Sequence, residues 1–94
     1  MISLPFAIDV SPTARAIRSI RRGRLDFERL EALKSRLKTD IDAISTFHLH
    51  QLWRRAEKAH LGACSAKEAE ILDFLMRRAR WEVENRTMRV RHWR

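Results

Sequence analysis

Arginine carries most of the chemistry this sequence can offer. Sixteen Arg stand against four Lys, and twelve of the Arg fall into two segments. Arg15, Arg18, Arg21, Arg22 and Arg24 form the first; Arg77, Arg78, Arg80, Arg86, Arg89, Arg91 and Arg94 form the second. Only Glu82 and Glu84 are interleaved, so the two segments hold a net charge of +10 and the remainder −2. A guanidinium makes bidentate contacts with phosphate and carboxylate, and it stacks on bases and aromatic rings. Arg clustered with few acids is the footprint of a polyanionic partner, DNA or RNA most simply, or of an acidic protein surface.

Three Trp add a second kind of contact. On a helix wheel Trp81 projects off the apolar seam of its segment, on the side of Arg77 and Arg78. Trp93 sits among Arg91, His92 and Arg94. An exposed Trp flanked by cations suits stacking or anchoring at a nucleic-acid or protein interface, and Trp81 and Trp93 are the candidates. Trp53 lies about 120° from the main stripe of its helix. The plainer role for Trp53 or Trp81 is a second layer of core under the Arg-bearing first helix.

Other reactive groups do not assemble into a site. His48 and His50 point about 200° apart on a helix and cannot chelate together. His60 and Cys64 straddle a turn and lack further ligands, so no metal is expected. The same pair is the one nucleophile–base candidate, and nothing nearby suggests an oxyanion hole. LEALKSRLKTDID with Arg54 and Arg55 superficially resembles the first helix of small helical chorismate mutases, but the later Lys and acid or Gln positions do not line up. Only Gly23 and Gly62 exist, too few for a phosphate-binding Gly loop. The expectation is a non-enzyme without a cofactor.

Length and composition bound the elements that position these residues. Ninety-four residues make one domain, with about 60–65% of the unfolded chain's surface buried. Two Gly and two Pro are too little punctuation for a sandwich or barrel of short strands. A 45% hydrophobic and 34% charged composition fits neither a disordered tail nor a membrane span. One Cys excludes an internal disulfide and fits a reducing cytosol, so a cytoplasmic protein is expected. Met1–Val10 lacks a basic start, contains Pro5 and Asp9, and is too short to span a bilayer. It reads as an arm leading into a helix.

The fold class that follows is all-α. Ser11-Pro12 starts a short basic helix that runs to about Arg22 and closes at Gly23. From Asp26 to about His60, Leu30, Leu33, Leu37, Ile41, Ile44, His48, Leu52 and Ala59 share an arc of about 100°. One helix of roughly 50 Å is predicted, with a weak point at Thr39-Asp40-Ile41-Asp42. A break there, with Thr39 as the cap, would give four helices rather than three. Ser65-Ala66-Lys67-Glu68 matches a capping box, and the seam Ala69, Leu72, Met76, Ala79, Val83 follows. Beyond Arg86 the basic tail, 87–94, is open to helix, strand or a frayed end.

A short turn at Gly62 makes the two long helices antiparallel neighbours. With an unbroken first member, both Arg segments meet at one pole. Two helices cannot bury so long a stripe, so the first helix must cover part of it and a homodimer could cover the rest. The expected function is a small basic protein docking a polyanion mainly through phosphate. The alternative is a protein-binding inhibitor or adaptor of the phage or mobile-element type, anti-CRISPR proteins among them, on an analogy of size and style.

Overall fold

The computed structural model describes residues 11–21 and 24–92. Among them lie four α-helices and no strand beyond an isolated bridge between Arg21 and Arg24, so the protein is all-α. The helices are α1 (Pro12–Arg18), α2 (Phe27–Thr39), α3 (Thr46–His60) and α4 (Ala66–His92). A 3-10 turn, Ile41–Ala43, joins α2 to α3. The N-terminal arm, Arg22, Trp93 and Arg94 lie outside the described residues, as does the side chain of Arg91.

Local chemistry sets most of the boundaries. Ser11 Oγ accepts from the Ala14 amide at 3.1 Å, with Pro12 behind it at the start of α1. α1 stops at Arg18, short of the expected Arg22. Ser19 Oγ donates to the Ala16 carbonyl at 2.6 Å, so the side chain takes up an acceptor at the helix end. Asp26 caps α2 by accepting from the Arg29 amide at 3.2 Å. α4 is helical through His92, which resolves the tail up to that residue.

The single long helix predicted from Asp26 to His60 does not form. Its backbone leaves the helix at Asp40 (φ −146°, ψ 39°), and α3 starts six residues later. Two carboxylates, Asp40 and Asp42, stand where the negative end of the α2 dipole disfavours them. The new cap is Ser45, whose Oγ accepts from the His48 amide at 3.1 Å. Thr39 instead donates back to the Ser35 carbonyl at 3.0 Å. An interrupted helix can turn back on itself.

That reversal decides the packing. Lys67 Nζ lies 4.7 Å from the Phe27 ring centroid, and Lys34 and Lys38 lie 5.2 and 5.5 Å from that of Phe74. α2 therefore runs beside α4 in the same direction, while α3 runs against α4 across the turn at Gly62. α1 packs on α2 and α3, where Arg55 Nη1 donates to the Ile20 carbonyl at 3.5 Å, and it does not touch α4. The core joins Ile17, Leu30, Leu37, Leu49, Leu52, Leu72 and Leu75 from all four helices. One chain thus buries Leu30, Leu33, Leu37, Ile44, Leu52 and Ala59 of its own stripe.

The buried positions shift accordingly. Leu49 and Ala56, outside the arc drawn for an unbroken helix, are fully buried, whereas Ile41 and His48 are half-buried. On α4 the buried face is Ile71, Leu72, Leu75 and Ala79, broader than the expected seam because two helices pack against it.

The capping box forms with one change of detail. The Glu68 amide donates to Ser65 Oγ at 3.2 Å, and Glu68 Oε1 accepts from the Cys64 amide at 2.8 Å, one residue before the cap. Ser65→Ala is expected to cost about 1 kcal/mol, read as a lower denaturation midpoint. An unchanged midpoint would mean that α4 takes its start from elsewhere.

Candidate functional site

The expected single Arg pole is divided. Phe27 beside Lys67 puts Arg24 near the Gly62 turn, at the start of α4. Arg86 sits at the other end, donating from Nη2 to the Ile41 carbonyl at 3.1 Å and from Nη1 to Thr46 Oγ1 at 2.9 Å. Nineteen residues of α4 separate Lys67 from Arg86, about 28 Å along its axis. The cause is the break after Thr39, which reverses α2. Probes at Arg24 and Cys64 should therefore report a shorter distance than probes at Arg24 and Arg86. The opposite order would restore the unbroken helix.

Several of the Arg singled out by sequence are engaged within the fold. Glu82 is a buried carboxylate, 4% exposed, and three guanidinium groups converge on it. Arg86 Nε donates to its Oε2 at 2.9 Å, Arg89 Nη2 reaches the same oxygen at 3.3 Å, and Arg78 Nη1 lies 3.9 Å from Oε1. This group ties the last turns of α4 to the 3-10 turn and to the start of α3. Arg77 pairs with Asp73 at 2.9 Å and Arg80 with Glu84 at 3.3 Å, both exposed ion pairs on α4. Glu82 was legible as an i,i+4 partner of both Arg78 and Arg86. Its burial was not.

Other cations remain available. Arg15, Arg21 and Arg24 are exposed on α1 and the turn after it, with no acid in sequence between them. Arg15, Arg21, Arg24, Lys34 and Lys38 have no carboxylate partner among the described residues. Two grooves flank α2. The one against α1, about 360 Å³, places Arg15, Arg29 and Arg36 around an apolar floor of Ala16 and Leu33. Arg29 is paired there with Asp26 at 3.3 Å, and Arg36 with Asp40 at 3.9 Å.

The groove against α4, about 510 Å³, is lined by Lys34, Glu70, Asp73, Phe74, Arg77, Arg78 and Trp81. Trp81 is 58% exposed, and the Arg78 guanidinium lies 5.1 Å from its ring centroid. α1 does not cover it. Trp53, by contrast, is half-buried between Arg54 at 4.6 Å and Arg80 at 5.6 Å. Lys34, Lys38 and Phe74 were missed at the sequence level. The two Lys are four apart on α2, but only tertiary packing shows that they meet Phe74.

His48 and Cys64 have local partners. His48 Nδ1 lies 2.9 Å from Ser45 Oγ, which places it at the start of α3 as part of the cap. Cys64 is exposed, with Sγ 3.6 Å from the Gly62 carbonyl. Among the described residues no three His, Cys, Asp or Glu are grouped to hold a metal ion, and no helix is long and apolar enough to cross a membrane. No protein family, curated protein or solved structure matches the chain in the comparisons made.

Proposed function

We propose that this is a small non-enzymatic binding protein that docks a polyanion, most simply DNA or RNA, on the side of the fold formed by α1, α2 and α4. The observation that carries the reading is the set of cations without a carboxylate partner among the described residues, Arg15, Arg21, Arg24, Lys34 and Lys38, of which Arg15 lines one groove and Lys34 the other. An internally paired Arg has little to gain from a phosphate, whereas an unpaired exposed one exchanges counterions for it. The net charge of +8 acts in the same direction at long range. Arg86 and the buried Glu82 hold the fold and are not assigned to the partner.

Binding to random-sequence duplex and single-stranded probes at several salt concentrations tests the reading. The logarithm of affinity should fall linearly with the logarithm of salt, with a slope of roughly −0.9 per duplex phosphate neutralised and −0.7 per single-strand phosphate. Replacing Arg15, Arg21 and Arg24 together by Gln should flatten that slope by about 2 to 3 and weaken all sequences alike. Arg86→Gln should lower stability and leave the slope nearly as it was. Absence of binding to both probes at low salt would refute the reading. It would favour a protein-binding inhibitor or adaptor, for which the exposed Phe47, Leu61 and Met88 would be the first surfaces to test.

A further inference from the structure

We infer that the α2/α4 groove is a stacking site for an unpaired nucleobase, so that the preferred polyanion is a single strand; this rests on the polyanion reading above. Trp81 is the centre of the site. It is a large aromatic on α4, more than half exposed. An indole left in water forgoes apolar burial that a flat partner would recover.

The surroundings select that partner. Arg78 lies 5.1 Å from the Trp81 centroid, and Lys34 and Lys38 hold their ammonium groups 5.2 and 5.5 Å from Phe74. Phe74 and Trp81 are seven residues apart and so lie along one line of α4, about 10.5 Å from each other. Between and beside them stand Arg77, Arg78, Glu84 and Asn85 instead of the apolar residues a helix partner would need. A second copy of this chain would set Arg against Arg. A nucleotide supplies what the groove lacks: a π-face for Trp81 and, on its own backbone, a phosphate for Lys34 or Lys38.

Duplex ends this chemistry. Its base faces are already stacked, and exposing one means breaking that stacking. Trp81 on a straight helix, with no apolar wedge beside it, has little to offer in return. Stacking on Trp81 should therefore separate single strands from duplexes, while the phosphate contacts serve both.

The experiment compares three labelled probes of equal length by fluorescence anisotropy: a thymine single strand, its abasic counterpart and a random duplex. The full-length protein should bind the base-bearing strand roughly 5- to 150-fold more tightly than the abasic one. Trp81→Ala should abolish that difference while leaving the abasic affinity and the salt slope unchanged, and Trp81→Phe should retain part of it. Trp81 is exposed, so an unchanged denaturation midpoint verifies that the variant is folded. Equal affinity of the wild-type protein for base-bearing and abasic strands would overturn the stacking site and leave polyanion docking intact. Failure to bind any of the three would overturn both.

Discussion

Leu49→Ala is expected to cost the domain about 3 kcal/mol, and Ile41→Ala markedly less, in denaturant titrations of the two variants. Leu49 is fully buried where α3 meets the core, so truncation leaves a cavity that the surrounding Leu side chains fill only in part. Ile41 is half-buried in the 3-10 turn, where water can enter the space left behind. The pair discriminates between two chain paths. On an unbroken helix Ile41 lies in the apolar arc and Leu49 lies outside it, so the order of the two costs would be reversed. A domain of this size has a total stability on the order of 5–10 kcal/mol, so Leu49→Ala should be visible as a large drop in midpoint.

Glu82→Leu should be comparably damaging, at about 3 kcal/mol, despite adding an apolar side chain to the interior. Removing one member of a buried ion pair leaves its partners desolvated without compensation, an effect of roughly 3–5 kcal/mol in closed sites. The lower end applies because Arg89 reaches solvent and can rehydrate, although the Arg78 Nη1 that faces Glu82 is buried. Arg86 cannot do so freely, since it is also held by Thr46 and the Ile41 carbonyl. Glu82→Gln should lose less, because an amide oxygen still accepts from Arg86 Nε. Hydrogen exchange should localise the damage to the end of α4 and the start of α3. A Glu82→Leu protein as stable as wild type would show that the three Arg find no net support in this carboxylate.

Much of the fold was legible from residue types at short range. The Ser11-Pro12 start, the Asp26 region as the beginning of α2, and the Ser65 to Glu68 box all depend on bonds within one turn of helix. Such bonds are local, and neighbours in sequence suffice to read them. The stop of α1 and the cap of α3 were read imperfectly for a related reason. Ser19, Thr39 and Ser45 can each cap, bond backwards or do neither, and the surrounding fold selects among these options.

The candidate site was less legible, because its charges pair across space. Arg86 and Arg89 look identical to Arg15 and Arg24 in a composition count. Only the burial of Glu82 separates a structural guanidinium from one open to a partner. Trp81 was placed correctly beside Arg77 and Arg78 because that relation lies within one helix. Its groove required α2 as the opposite wall.

The sequence by itself determined an all-α chain, the three short-range caps, the basic excess and the absence of a Gly-loop phosphate motif. These follow from composition and from contacts three or four residues apart. Tertiary structure alone decided which way α2 runs, and with it where every charge on α1 and α4 falls. A stripe with helical period is equally satisfied by one long helix or by two that fold back on each other. The choice rests on burial: the folded-back chain encloses Leu30, Leu37, Leu49 and Leu52 in one core, whereas a two-helix hairpin has no third element to cover them.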